Sequence, residues 1–404
     1  MKKSSTALPA LVDHLPEWLL IAAFAFPILP LNITNILFIS FSVYVLLFWI
    51  FIKPVEIWKN IRLSLVMLLP FIPYLVESVL HFNSNTMLFE LQKKLLFFIA
   101  PIAIPVYIQV FRPKSIKPFL ASFVLSVSVL GIISVAGLLL QNVLFTESNY
   151  ENEAYLLRAN FESISHLHPT YYGLFAAISA LWIIYTTNKF NKWKYPLYAL
   201  AVFLAFTIIL VAAKMPLFIL VAGFCRILFI KSKNKKALLI NYALVIFFTV
   251  GLFFFTPSLK SRITNISGPG ELTTIGQRQQ IFDCSTDVFL ENIWTGTGAM
   301  NAQQELDKCY KEKNAALESY KYNSHNQYLT IGISYGVFVL LLFFISIFLV
   351  IKEIKRSPFG MIIVVATIFI MLTESILERQ MGVYFFTLFW LLLLSKKYFR
   401  KQII

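Results

Sequence analysis

The chain has 404 residues, 58% hydrophobic and only 14% charged, with a mean hydropathy of +0.73. Soluble domains carry roughly 25% charged residues, so an ordinary soluble fold is excluded and an all-α integral membrane protein is predicted. The net charge of +15 would suit nucleic acid, but the basic residues sit in short loops between apolar runs, as they do in membrane proteins. Nucleic acid is therefore not expected as a partner; membrane lipids are.

A span needs about 20 apolar residues. Twelve transmembrane helices are predicted, near 15–33, 35–52, 64–81, 94–111, 118–140, 169–187, 195–213, 215–230, 237–256, 328–351, 359–376 and 382–395. The first run passes into a span without a small-residue exit site, so no cleavable signal peptide is predicted. If Lys2 and Lys3 lie inside, 22 of the 35 Lys and Arg fall on that side, which predicts cytoplasmic N and C termini. There is no internal repeat, and residues 1–404 read as a single membrane-embedded domain.

The outer segments differ in size. The first spans about Asn32 to Thr34. The loop Gln141 to His168 is acidic and aromatic, and the link Ala213-Lys214-Met215-Pro216 is a tight turn. The largest, 256–327, precedes the tenth span and is too long to be structureless, so it is predicted to be a helical extracytoplasmic loop that carries function. Within it, Gly276 to Asn292 reads as an amphipathic helix, with Ile281, Phe282, Val288 and Phe289 on one face. The turn Gly296-Thr297-Gly298 allows close backbone approach and could offer N–H groups to an anion. Of the three cysteines, Cys284 and Cys309 both fall in this outer loop, where a disulfide is expected, against the alternative of two separately buried thiols. Cys225 falls within a span.

Lys214 is isolated between two apolar spans. A cation there needs a partner or a water-filled cavity, which points to function, while snorkelling to headgroups is the alternative. Lys93, Lys94, Arg158 and Arg278 add outer-face cations suited to a phosphate group or to lipid headgroups. Among five histidines, His14 and His81 read as structural. His166 and His168 precede Pro169 without a carboxylate within one turn, so hydrogen bonding or packing is preferred over metal; Glu151-Asn152-Glu153 is an equally weak metal candidate. His325, flanked by Ser324 and Asn326 at the start of a span, is placed to exchange protons at the membrane boundary.

The arrangement His325-Asn326-x-x-Leu329, with Gly336 eleven residues after the histidine, resembles the signature of the O-antigen ligase and polymerase superfamily. Further motifs follow the same order: Ala213-Lys214-Met215 where that family has Ser-Arg-small, then Arg278, Phe282 and Gly296-Thr297-Gly298. Glu90 with Lys93, and His168-Pro169-Thr170-Tyr171, are also similar to some members. One departure is Tyr335, where a glutamate is common. The resemblance implies an inverting, metal-independent glycosyltransferase of the bacterial inner membrane that acts at the periplasmic face without a cofactor. Its donor would be a glycan on undecaprenyl pyrophosphate. Lys214 and Arg278 would hold the diphosphate as the glycosidic bond breaks, and His325 would take the acceptor proton. Asn326, Lys93, Lys94, Arg158, His168, Gly296 and Gly298 are the expected substrate-binding residues. The single dominant outer loop favours a ligase acting on a lipid A-core acceptor in lipopolysaccharide biosynthesis over a polysaccharide polymerase. A protein O-oligosaccharyltransferase and a twelve-span transporter rank lower.

Overall fold

Long apolar runs that show no strand-like alternation form helices, because only helices satisfy every backbone group locally in an apolar medium. A computed structural model of the protein describes residues 8–53, 58–81, 85–141, 150–187, 192–232, 234–255, 274–313, 317 and 321–395. All regular structure among them is helical. In chain order the helices are α1 Leu8–Ala23, α2 Leu31–Phe51, α3 Trp58–Val66, α4 Ile72–Leu80, α5 Asn85–Lys94 and α6 Leu96–Phe111. Then follow α7 Lys117–Leu140, α8 Tyr150–Ser165, α9 Pro169–Thr186, α10 Lys194–Leu210, α11 Lys214–Lys231 and α12 Lys235–Phe255. The last five are α13 Thr274–Glu291, α14 Ala302–Lys313, α15 Gln327–Ile354, α16 Pro358–Met371 and α17 Gln380–Leu394.

By length and apolarity four described segments can cross a membrane: Leu31–Phe51, Glu90–Phe111, Lys117–Leu140 and Gln327–Ile354. A fifth is gained if the pair Leu156–Ser165 and Pro169–Thr186, bent by 73°, counts as one span. The predicted count of twelve is not reached by this measure, because several expected runs are shorter or broken. The run 64–81 is split by a 3₁₀ turn at Leu69–Phe71, where Pro70 and then Pro73 interrupt the helical hydrogen bonds. The run 359–376 leaves the helix after Met371. Lipid is the expected neighbour of α2, whose Ile36, Val43, Ile50 and Phe51 all stand exposed.

Two helices are buried almost all round. α9 packs against α10 and α11, and α17 packs against α6. Their N-terminal ends, at His168 and at the 372–379 link, frame the candidate site.

In the predicted outer loop, α13 runs within two residues of its expected start, but its buried face differs. Ile281, Cys284, Ser285 and Val288 are buried, whereas Phe282 is half exposed. That face packs on Leu306 and Tyr310 of α14 and on Ile333 of α15, a small core separate from the main one. Cys284 and Cys309 are joined by a disulfide with a Cα–Cα distance of 5.7 Å.

α15 kinks at Gly336 (φ 76°, ψ −177°). A Cβ there would sit 2.4 Å from the Trp294 carbonyl oxygen, and one on Gly296 (φ 69°) would sit equally close to the backbone at Ser334. The two strands of chain touch backbone to backbone, which only glycine permits.

Candidate functional site

His325 is held by its neighbours before its own ring does anything. Asn326 is the N-cap of α15, its Oδ1 accepting from the N–H groups of Tyr328 (2.9 Å) and Leu329 (3.2 Å). The His325 N–H donates to Asn323 Oδ1 at 3.0 Å, and the residue takes a left-handed φ of 45°. Ser324 Oγ donates to the Asn326 carbonyl and lies 2.6 Å from Thr330 Oγ1, which in turn meets Ser375 Oγ at 2.8 Å. Gln327 Oε1 accepts from the Leu377 N–H at 2.7 Å, and Asn326 Nδ2 donates to the Leu372 carbonyl. The histidine loop and the 372–377 link are thus sewn together, and the left-handed backbone at His325 is over-determined by them.

That link delivers Glu374. Its Oε2 lies 3.3 Å from His325 Nδ1 and its Oε1 lies 3.5 Å from an Arg278 Nη. One nearly buried carboxylate therefore bridges the two residues expected to do chemistry. Burial alone would raise its pKa, but the hydrogen bond with His325 and the charges of His325, Arg278 and His168 outweigh that and lower it. A carboxylate that accepts from Nδ1–H fixes the tautomer and leaves Nε2 as the proton-accepting atom.

Arg278 and Glu374 line one cavity of about 90 Å³ with Lys214 and Arg158. Lys214 is the first residue of α11, so the positive end of that helix dipole adds to the same field. Arg158 donates to the Val211 carbonyl at 3.0 Å and so fixes the turn that carries Lys214. The turn itself runs through Ala212 at φ 46° and the extended Ala213. Three cations converge here against a single carboxylate. The lining groups give the cavity a positive field, which is chemically suited to an anionic ligand.

The remaining expected residues divide. His168 caps α9 through Nδ1, which accepts from the Thr170 N–H at 3.4 Å. Burial, with the nearby cations Arg379 and Arg158, lowers its pKa to about 4 despite the opposing charge of Glu374. It lies one residue pair from the cationic cavity, which Thr170 lines. Lys93 is ion-paired with Glu90. Lys94 is buried, 2.8 Å from Glu378 and over the Tyr74 ring at 4.3 Å. Neither lines the cationic cavity. At the Gly296-Thr297-Gly298 turn, the Thr297 and Gly298 N–H groups donate to the carbonyls of Ile333 and Ser334 at 2.8 and 2.9 Å. The glycines serve the kink of α15, and their amides are taken. Just beyond, the Ala299 and Met300 N–H groups do hold an anion, the carboxylate of Glu77 from α4. Glu151 and Glu153 carry side chains outside the described ones. Among the described residues no three His, Cys, Asp or Glu gather as a metal-binding group.

Two larger cavities flank the 372–379 link. One, of about 380 Å³, is lined by Tyr74, Glu90, Lys94, Gln303, Asn323, Ser324 and Tyr335. The other, of about 360 Å³, is lined by Asn35, Gln92, Lys93, His166, His168 and Arg379. Amide, hydroxyl and charged side chains of this kind suit a hydroxyl-rich ligand.

Residues 199–344 match the family model described as O-antigen ligase. The similarity to that family covers a little over a third of the chain. No curated protein matches it. The matched segment holds Lys214, Arg278, the Gly-Thr-Gly turn, His325 and Asn326, while Arg158, His168 and Glu374 reach the same place from outside it. The match lies in a chain that also carries helices long and apolar enough to cross a membrane. Glu374 escaped the sequence reading because it was counted as the end of an apolar span. An acidic residue at the edge of such a run was itself a signal.

Proposed function

We propose that this protein transfers a glycan from undecaprenyl pyrophosphate to a hydroxyl of a lipid A-core acceptor, as an O-antigen ligase at the periplasmic face of the bacterial inner membrane. The observation that carries this reading is the pairing of His325 with a three-cation cavity through one carboxylate. In the proposed reaction the diphosphate lies on Lys214 and Arg278. The acceptor hydroxyl loses its proton to Nε2 of His325, and its oxygen attacks the anomeric carbon. The bond from that carbon to the phosphate oxygen breaks with inversion, and undecaprenyl pyrophosphate leaves as an anion already stabilised by the fixed cations. Glu374 keeps the imidazole oriented and stabilises the imidazolium that forms. Arg158 positions the Lys214 turn. No metal is required in this scheme, since the cations supply the charge. The large polar outer segment before α15, with its flanking polar cavities, favours a bulky glycan acceptor.

The test is the full chain reconstituted in liposomes with purified lipid-linked glycan and lipid A-core. Transfer should occur, yielding single-step products. A ladder of longer glycans without the core acceptor would indicate a polymerase instead. His325→Ala should abolish transfer while retaining donor binding, with His325→Gln keeping a trace if orientation matters. Loss of donor binding in His325→Ala would place the histidine on the phosphates and sink its assignment as base.

A further inference from the structure

Glu374 presents one oxygen to each of two partners. Oε1 faces Arg278 at 3.5 Å and Oε2 faces His325 at 3.3 Å, while the carboxylate itself is nearly buried. The two partners are held very differently. His325 sits in a loop tied down by Ser324, Asn326 and Gln327. The Arg278 side chain is 48% exposed and rides in the first turn and a half of α13. Arg278 is therefore the partner free to leave.

We propose that Glu374 is a shared carboxylate for which a diphosphate competes: the ligand draws Arg278 away, and the full charge of Glu374 then falls on His325. This rests on the proposed function, in which Arg278 binds the donor. Before the donor arrives, the carboxylate divides its charge between guanidinium and imidazole. A diphosphate offers Arg278 a better partner, with more charge and a bidentate edge. Once Arg278 turns to it, Glu374 has one partner left, and the imidazole becomes the stronger base by the ordinary effect of an undivided neighbouring charge. Donor binding and base activation are then a single event. An enzyme so built would not activate its acceptor before the donor is seated. The other charged groups around the pair are His168 at the start of α9, Arg158 on α8 and Lys214 on α11. His168 adds to the positive field on the carboxylate, while the ion-pair distances are those to Arg278 and His325.

The proposal makes an unusual demand on Glu374→Gln. A residue that merely supported the fold would, when removed, weaken every property of the site. A competitor for Arg278 would, when removed, let pyrophosphate bind more tightly. The experiment uses the purified full chain in detergent with inorganic pyrophosphate as probe, binding being followed by calorimetry. His325 is followed by its rate of carbethoxylation against pH, located by mass spectrometry. Glu374→Gln should bind pyrophosphate several-fold more tightly than wild type, and pyrophosphate should raise the His325 midpoint less than in wild type. In a second variant, Arg278→Gln, the His325 midpoint should stand higher than in ligand-free wild type, as for a carboxylate left to a single partner. Unchanged or weaker pyrophosphate binding by Glu374→Gln overturns the proposal, as does a His325 midpoint in Arg278→Gln equal to that of ligand-free wild type. Failure of wild type to bind pyrophosphate would overturn the phosphate role of the cavity as well, so the two failures are told apart.

Discussion

Tyr335 donates its hydroxyl hydrogen bond to Glu77 Oε2 at 2.9 Å, across 258 positions of sequence. The same carboxylate accepts from the N–H groups of Ala299 (2.9 Å) and Met300 (3.0 Å). A tyrosine on α15, a glutamate on α4 and the turn before α14 are thereby locked one residue from the Gly336 kink. The acidic partner of this helix position is thus supplied from another helix.

Glu77→Gln should expose the strength of that lock. An amide has one accepting oxygen where the carboxylate has two, so at least one of three donors loses its partner, at a cost of about 1–3 kcal/mol. The measurement is the thermal unfolding midpoint in detergent, which should fall. An unchanged midpoint would mean that water replaces the carboxylate without loss.

Lys214 and Arg278 share a cavity and, in the proposed role, the same two phosphates. Lys214→Ala and Arg278→Ala should each slow transfer by roughly 100-fold or more, on the scale of removing one preorganised charge-stabilising group. The double variant should fall well short of the product of the two, since coupled groups are not additive. Lys214→Arg should retain much of the activity if positive charge is what the site needs. Wild-type rates for Lys214→Ala would remove it from the mechanism.

His168 is held neutral by burial, with a pKa of about 4 against an ordinary 6.5. Between those values the unfolded chain binds a proton that the folded one does not. Stability should therefore be lost as pH falls from about 6.5 toward 4, by at most about 3 kcal/mol from this group. His168→Asn keeps an N-cap acceptor for Thr170 and should flatten that part of the pH–stability curve. A variant with the wild-type profile would assign the acid loss elsewhere.

The Cys284–Cys309 bridge closes a 25-residue separation around the Gly-Thr-Gly turn and fastens α13 to α14. Its loss through Cys284→Ala should lower stability by about 2–4 kcal/mol. It should also raise hydrogen exchange in α13, the helix that carries Arg278. Thiol labelling of both cysteines in the unreduced wild-type protein would show that the bridge does not form.

The amino-acid order by itself determined what is local. Apolar run length and the absence of alternation specified helices. The apolar run that follows Asn326 announced a span start beside His325, and the shared outer segment of Cys284 and Cys309 made their bridge one of two readings. Lys214 stood out because a cation between apolar spans has few harmless places to go. The choice of partners was decided only by the tertiary structure. Glu374 meets His325 from 49 residues away and Arg278 from the other side, and Glu77 reaches Ala299 across 222. Such pairings depend on which helix ends come to the same place, and helix order in space is set by packing over the whole molecule, chiefly around α9 and α17. The same cause shortened the expected span 359–376: after Met371 the chain leaves the helix, and residues 372–377 hydrogen-bond to the histidine loop instead. Local periodicity registers the apolar residues there, but not the carboxylate that the loop was waiting for.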